Sequence, residues 1–367
     1  MKEYRFRAKD LKAYIVRFFE HFGLAEENAA IVADVLVTAD LRGVHSHGIG
    51  RLHRYYGNRL RAGLIDPKAA LHLIKETSAT LCFDAGNGMG QLAGYRAMQA
   101  CIDKARDVGV ALATVRNSNH FGIAGYYAMM ALEHDMIGIS LTNSQPLIAP
   151  TYGRTRILGT NPIAVAVPAG KDDSYVLDMA TSVVPMGKIA FYEEKGEVIP
   201  FGWGMDRTGS LTRDPHAVQD GGCLLPLGGT DEMRGYKGYG LALLVDILSG
   251  ILSGAAYGRN IGSPGSVEGA PVNIGHFFMA IRVNAFRPIE QFKADMDLLI
   301  QQLKTAPKTV GHDRIFVHGE KEFERMKAYR RDGIPIIAPV FHGLCQDGET
   351  AGVPFDVKPI ALKNSEV

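Results

Sequence analysis

Residues 137–177 have the sequence IGISLTNSQPLIAPTYGRTRILGTNPIAVAVPAGKDDSYVL, and this stretch decides which class of fold we predict. Short runs rich in β-branched residues occupy positions 137–141, 163–167 and 175–177. Turns containing proline and glycine join these runs and leave no room for a helix. Because parallel neighbours need a long crossover connection, the stretch predicts a mixed sheet rather than a purely parallel one.

Strand and helix patterns continue on both sides of that stretch. Strand-like runs at 80–83 and 110–115 flank a helical pattern at 92–108, and another helical pattern covers 123–133. Further along the chain we predict a long apolar helix at 240–253 and an amphipathic helix after Pro288. The chain is then expected to end with a helix near 320–331 and a final loop.

The first 75 residues have a helical pattern throughout. Apolar side chains at positions 11, 14, 15, 18 and 22 share one helical face, and Gly23 marks the end of that helix. A second helix begins with Glu26 and Glu27, whose charges are favourable near a helix N-terminus, and it ends at Gly43. A third, basic helix is predicted from about 46 to 62.

The segment GNGMG at 86–90 is close to a dinucleotide-binding fingerprint, but two of its features are wrong. That fingerprint needs a glycine at the position of Gln91, and the following strand should end in an acidic residue, whereas it ends in Arg116 and Asn117. We interpret the segment as a turn before a helix. The predicted fold is therefore α/β, with a mixed, largely non-Rossmann sheet domain and an N-terminal helical domain.

The composition is that of an ordinary globular protein. The net charge of +1 provides no broad basic field, so we expect neither a nucleic-acid partner nor a membrane partner. The four cysteines are too far apart in sequence for a CxxC pair. The N-terminal residues MKEYRFRAKD lack the apolar core of a signal peptide. We therefore expect a cytoplasmic protein with reduced thiols.

The segment GVHSHGIGRLHRY at 43–55 carries the densest signal for a functional site. Ser46 is a good helix N-cap, and on a helix that starts there His47, Arg51 and Tyr55 share one face. That face offers an acid/base group, a planar cation for a carboxylate and a phenolic donor. The alternative interpretation is a polar surface helix with scattered basic residues.

Three further segments carry candidate site residues. The segment NSNHFG at 117–122 places His120 at a strand-to-helix junction, although its polar residues could simply cap the helix. Asp178 ends an apolar strand, where a carboxylate needs a partner such as a histidine. Lys237 lies among glycines before the long apolar helix. It could contact a phosphate or a ribose, or it could simply belong to a glycine-rich turn.

Together these segments resemble the malate/L-lactate dehydrogenase family of non-Rossmann type, which also includes ureidoglycolate and sulfolactate dehydrogenases. The matching segments are DLRGVHSHGIGRLHRY, NSNHFG, ILGTNPIAVAVP, VLDMATS and GGTDEMRGYKGYGLALLVDILSG, in order from about residue 5 to 335. The resemblance implies three domains. Residues 1–75 would form a helical substrate and dimerisation domain that C-terminal helices could join. Residues 76–310 would form the mixed-sheet cofactor domain, and residues 311–367 a helix and tail that pack on both.

The resemblance also implies the roles of individual residues. It assigns catalysis to His47, Ser46, His120 and Asp178. It assigns substrate binding to Arg51, Tyr55, Thr160 and Asn161. It assigns the cofactor, NAD or else NADP, to Asp178, Met179, Ala180, Thr181, Ser182, Lys237, Gly319 and Glu320. It further implies a homodimer and a reaction that needs no metal.

The implied reaction is hydride transfer between a nicotinamide and a small 2-hydroxy or 2-oxo acid, with malate and oxaloacetate as the first choice. Arg51 would bind the carboxylate, and His47, oriented by Asp178, would move the hydroxyl proton. Lactate, sulfolactate, ureidoglycolate or a cyclic-imine carboxylate are alternative substrates. Two other classes remain open: a metal-dependent hydrolase, in which His45, His47, His120 and Asp178 hold zinc, and an inactive binding module on the same fold.

Overall fold

The computed structural model describes residues 2–269 and 271–364. The helices are α1 (Ala8–His21), α2 (Glu26–Leu41), α3 (Asn58–Arg61), α4 (Gly90–Val108), α5 (Ala124–Met130), α6 (Met186–Glu194), α7 (Pro215–Gln219), α8 (Tyr236–Asp246), α9 (Ile289–Thr305), α10 (Glu320–Asp332) and α11 (Ala338–Ala351). The strands are β1 (Lys2–Phe6), β2 (His72–Glu76), β3 (Thr80–Asp84), β4 (Val110–Ser118), β5 (Met136–Thr142), β6 (Ile163–Val167), β7 (Tyr175–Met179), β8 (Gly204–Met205), β9 (Leu211–Thr212), β10 (Cys223–Leu224), β11 (Ile274–Arg282), β12 (Ile334–Ile337) and β13 (Ala361–Asn364).

The main sheet has seven strands in the order β2-β3-β4-β11-β5-β6-β7. Strands β3 and β4 are parallel and are connected through α4, whereas every other neighbouring pair is antiparallel. The predicted mixed sheet is therefore confirmed. The sequence interpretation missed its central strand, β11, although IGHFFMAIR has the apolar and aromatic content of a buried strand.

Both ends of the chain contribute to one apolar core. Strand β1 pairs with β12 and β13, and α1 and α2 pack in the same cluster as residues from β12 and α11. The prediction that the first 75 residues are entirely helical was wrong, because β1 and β2 are strands. The predicted final loop was also wrong, because β12, α11 and β13 occupy that part of the chain.

A second apolar core lies between the main sheet and helices α4 and α5. The glycine segment at 86–90 belongs to the edge of this layer. A Cβ atom on Gly90 would lie 2.1 Å from the carbonyl oxygen of Asn119, and the Asn119 side-chain amide donates to the Gly88 carbonyl at 2.9 Å. These glycines therefore let two loops of the protein pack directly on one another.

None of the helices within residues 2–269 and 271–364 has the length and apolar content needed to span a bilayer.

Candidate active site

A cavity of about 600 Å³ lies where the N-terminal helical layer meets the main sheet. Its walls come from five parts of the chain: the turn after α2, the loop before α5, the loop before β6, strand β7 with the residues that follow it, and the segment around the start of α10. The volume is that of an ordinary small-molecule site. Ser46, His47 and Asp178 all contribute to these walls.

The chain around His47 is not the single α-helix that the sequence predicted. Two short 3₁₀ turns, His45–His47 and Ile49–Arg51, flank an extended Gly48, and a π-helix, Leu52–Gly57, follows before α3. Ser46 is consequently no helix N-cap. Its hydroxyl instead lies 2.9 Å from Nδ1 of His47, so Ser46 orients the imidazole ring directly.

Asp40, at the end of α2, holds this pair of turns in place. Its buried carboxylate accepts the Ile49 N–H at 2.7 Å and lies 3.0 Å from Nδ1 of His45. Burial raises the pKa of Asp40, and the hydrogen bond to His45 opposes that shift. Since His47 lies between His45 and Ile49, the two residues that Asp40 binds, this carboxylate constrains where His47 is placed.

The close contact between Gly48 and Asp40 gives a direct test of that arrangement. A Cβ atom at position 48 would lie 2.1 Å from a carboxylate oxygen of Asp40, so Gly48→Ala must displace the turn. We expect about 1–3 kcal/mol of lost stability, together with a clear loss of kcat/KM. Thermal unfolding and steady-state rates measure the two effects.

Gly50→Ala is the matched control, because its added Cβ would meet only Val340 Cγ1 at an ordinary 3.4 Å. That variant should keep nearly native stability and activity. Equal behaviour of Gly48→Ala and Gly50→Ala would show that Asp40 does not constrain the turn.

Two histidine rings stack at the site. The centroids of His47 and His120 are 5.3 Å apart, with an interplanar angle of 21°. Nδ1 of His120 lies 2.7 Å from the Tyr56 hydroxyl and accepts the Gly122 N–H at 3.3 Å. Because Nδ1 is occupied as an acceptor, the proton of neutral His120 must be on Nε2, where it can be donated.

Both histidines are neutral near physiological pH. Loss of hydration on burial, together with the positive charge of Arg51, lowers the pKa of His47 to about 3. The pKa of His120 is also far below its ordinary value, first through burial and then through Arg51 and His47. The site therefore presents two uncharged imidazole rings. One of them can accept a proton while the other donates a hydrogen bond.

Arg51 and Tyr55 lie beside the histidine pair. The Arg51 guanidinium stacks over the Tyr55 ring at 4.7 Å, and its Nε donates to the Ser46 carbonyl. The Tyr55 ring is in turn 5.0 Å from the His120 ring, in an edge-on arrangement. The four residues predicted from two separate segments thus meet at one place, and Tyr56, which the sequence interpretation did not select, joins them.

Asp178 does not orient His47 as the sequence-based mechanism proposed. Its Oδ2 accepts the Gly125 N–H at 2.8 Å, whereas Nδ1 of His47 is paired with Ser46. The carboxyl group is open to the cavity, but the surrounding protein excludes bulk water and raises its pKa to about 6, a shift that Arg42 opposes. Asp178 therefore connects β7 to the start of α5.

The remaining predicted site residues divide into two groups. Thr160, Met179, Ala180 and Gly319 line the cavity. The others have contacts away from the cavity or in the protein interior. The Asn161 amide donates to Ala242, the Thr181 and Ser182 hydroxyls donate to nearby carbonyls, Glu320 pairs with Lys304, and Lys237 is exposed at the start of α8.

Two cavity residues that the sequence interpretation did not select are Arg42 and Glu322. Arg42 is almost fully buried, and its Nη1 has no hydrogen-bond partner among the residues that the structure describes. The sequence could have pointed to Arg42, because Arg42 lies between the end of α2 and Gly43, in the same segment as His47.

The alternative zinc site is not supported. Within the described residues, no group of three or more histidine, cysteine, aspartate or glutamate side chains is arranged to hold a metal ion. His45 is paired with Asp40, and Asp178 with the Gly125 backbone.

Comparison with known proteins agrees with this fold. A sequence profile described as Malate/L-lactate dehydrogenase matches residues 6–345. The chain is 48% identical to a malate dehydrogenase of Pyrococcus abyssi over 94% of both sequences. It is 42% identical to an L-sulfolactate dehydrogenase of Methanocaldococcus jannaschii, covering 91% of this chain and 93% of the relative. The solved structure of malate dehydrogenase from Pyrococcus horikoshii superposes with a TM-score of 0.88 at 44% identity, covering 98% and 97% of the two chains.

Fold, site and relatives together define an oxidoreductase that acts on small hydroxy acids. The chain belongs to the malate/L-lactate dehydrogenase family, as the resemblance of its motifs predicted. Membership of this family implies a nicotinamide cofactor.

Proposed function

We propose that the protein interconverts malate and oxaloacetate with NAD, or alternatively NADP, as cofactor. The observation that carries the proposal is the stacked pair of neutral histidines, His47 and His120, beside the Arg51 guanidinium. The relatives named above as malate dehydrogenases support malate as the first substrate to test.

The cavity suits a nicotinamide cofactor in size and in chemistry. Its walls combine apolar surface from Met179 and Ala180 with the carboxyl groups of Asp178 and Glu322 and the buried guanidinium of Arg42. Such a mixture fits a ligand that has flat rings, hydroxyl groups and phosphates. When bound, the cofactor would accept or supply the hydride.

In the oxidation direction, Arg51 binds the substrate carboxylate, because its planar guanidinium can donate two parallel hydrogen bonds. His47 then accepts the hydroxyl proton at the imidazole nitrogen that does not face Ser46. The Nε2 proton of His120 is donated to the same substrate oxygen, and Tyr56 and Gly122 keep His120 in the tautomer that this requires.

In the reduction direction, His47 must carry the proton that it gives to the product oxygen. Burial, and after it the Arg51 charge, lowers the pKa of His47 and so disfavours its protonated form in the free protein. A carboxylate bound to Arg51 cancels this repulsion, so substrate binding itself raises the pKa of His47 towards the working range. Asp178 contributes indirectly, because its bond to Gly125 fixes the loop that carries His120.

A reduction screen tests the proposal. The purified protein is given NADH or NADPH with oxaloacetate, pyruvate, sulfopyruvate, 2-oxoglutarate or piperideine-2-carboxylate, with and without a chelator. We expect the highest kcat/KM for oxaloacetate with NADH, unchanged by the chelator. A higher kcat/KM for another acid would reassign the substrate, and activity that requires added zinc would reject the mechanism.

The exposed apolar surface of α8 and the following turn supports a homodimer. Large apolar side chains exposed there are Leu241, Leu243, Leu244, Ile247, Ile251 and Leu252. A continuous apolar surface of this kind on a water-exposed helix is typical of a subunit interface. We propose that a second copy of the chain covers it.

Leu244→Asp places a charge in the middle of that surface and should convert the dimer to a monomer, which light scattering measures as half the mass. Val310→Asp is the control, because Val310 is a fully exposed apolar residue elsewhere on the molecule. A wild-type monomer, or a dimer that survives Leu244→Asp, would contradict the proposed interface.

A further inference from the structure

His276 lies in β11, the central strand of the main sheet, at a point where the pairing is irregular. The register between β11 and β4 shifts between Ile274 and His276, as it does at a β-bulge. Bulges often lie beside active sites, where they change the direction of a side chain. The His276 side chain is completely buried, and one of its ring nitrogens faces Ser118, the last residue of β4.

Both ring nitrogens of His276 have a hydroxyl partner. Nε2 lies 2.8 Å from the Ser118 hydroxyl oxygen, and Nδ1 lies 2.8 Å from the Thr142 hydroxyl oxygen. Because a hydroxyl can donate or accept, either tautomer of a neutral ring satisfies both bonds. Burial lowers the pKa of His276 to about 3, so the ring supplies no charge near neutral pH. Its effect on neighbouring residues is therefore one of position.

The same ring also stacks on Phe121. The two ring centroids are 4.5 Å apart, and the ring planes differ by only 5°. Ser118 comes two residues before His120, and Phe121 comes directly after it. One buried side chain thus contacts the chain on both sides of His120, the residue whose ring stacks on His47.

We propose that His276 is a positioning residue: it holds Ser118 and Phe121 so that the His120 ring is placed to donate its hydrogen bond to the substrate oxygen. The proposal rests on the function proposed above, because His276 acts through His120. A displacement of about 1 Å at a reacting group can cost about 10²-fold in rate, so loss of this anchor should lower kcat. A role in the stability of the sheet alone would leave the kcat of the folded protein unchanged.

A double-mutant cycle on kcat tests the proposal with Ser118→Ala, His276→Asn and the double variant. Asparagine can keep the bond to Thr142 but is too short to reach Ser118. Each single variant should lower kcat by about 10- to 100-fold. The combined loss should be clearly smaller than the product of the two single losses, because both changes remove the same bond. His276→Gln, whose longer side chain can reach Ser118, should recover most of the lost kcat.

NADH affinity, measured by fluorescence titration, should stay nearly unchanged in these variants, and the titration end point gives the concentration of folded sites. Thr142→Val is the matched control, because it removes the other hydrogen bond of His276 and leaves the one to Ser118. This control should lower the melting temperature and keep a nearly native kcat.

The possible results separate the inference from the proposed function. In an active wild-type protein, a native kcat for Ser118→Ala overturns the inference, and so do single losses that simply multiply in the double variant. If the His276 variants do not fold, Ser118→Ala and Thr142→Val decide, and equal kcat values for these two overturn the inference. A wild-type protein that reduces none of the acids in the screen rejects the proposed function and the inference with it.

Discussion

Replacing His47 with alanine is expected to lower kcat by about 10²–10⁴-fold and to leave NADH binding nearly unchanged. The expected loss is the usual contribution of a residue that transfers a proton in the rate-limiting step. The cavity residues proposed to hold the cofactor include Met179, Ala180 and Glu322, which are on other segments, so the variant should still bind NADH. Stopped-flow kinetics and fluorescence titration measure the two quantities.

His120→Ala is the comparison for that variant. His120 donates a hydrogen bond in the proposed mechanism without exchanging a proton, so its removal should cost less in kcat. If His120→Ala loses activity and His47→Ala keeps it, the two roles are reversed. Reversal is a definite alternative, because the two rings stack and both have a lowered pKa.

The pH dependence follows from the direction of the His47 shift. Its pKa of about 3 in the free protein means that the base is unprotonated throughout the neutral range. The kcat/KM for malate oxidation, which reports the free enzyme, should therefore show no titration of His47 between about pH 5 and pH 8. A limb near the ordinary histidine pKa that disappears in His47→Ala would contradict this.

Arg51→Lys is expected to raise the KM for oxaloacetate about 10- to 150-fold. A lysine retains the charge but cannot make the paired hydrogen bonds of a guanidinium, and one charged hydrogen bond is worth about 1.5–3 kcal/mol. It also loses the stacking of Arg51 on Tyr55. Steady-state kinetics with oxaloacetate as the varied substrate measure the change.

Arg61→Lys is the matched control, because Arg61 is an exposed arginine of α3, directly after the π-helix. It should leave KM unchanged. If Arg51→Lys has native KM and kcat, Arg51 is not the carboxylate-binding residue, and Arg42 becomes the first candidate for that role.

The sequence predicted most of the sheet because its strands are short, apolar and separated by turns. Strand β6, for example, has the predicted bounds, and β5 and β7 extend the predicted runs by one or two residues. Strand β11 was missed, and its neighbours explain how it tolerates a buried polar residue. Burial lowers the pKa of His276 to about 3 and keeps the ring neutral, and hydrogen bonds with Thr142 and Ser118, both far away in sequence, satisfy its two nitrogens.

The irregular backbone at the site could not be predicted from local propensity. The π-helix Leu52–Gly57 ends where Phe18 of α1 approaches Gly57, since a Cβ atom there would lie 2.7 Å from the Phe18 ring. Only the packing of α1 against this segment creates that constraint. The motifs selected His47 and His120, which the structure stacks against each other, but the hydrogen-bond partners of the two rings, Ser46 and Tyr56, depend on this tertiary geometry.

Isotope transfer is the most direct measurement of the central claim. The protein is incubated with oxaloacetate and NADH in which both hydrogens at C4 of the nicotinamide ring are deuterium, and the product is analysed by mass spectrometry. The mechanism predicts malate with deuterium at C2, formed without added metal and far more slowly by His47→Ala. Malate without deuterium, or deuterated malate formed equally fast by His47→Ala, would contradict it.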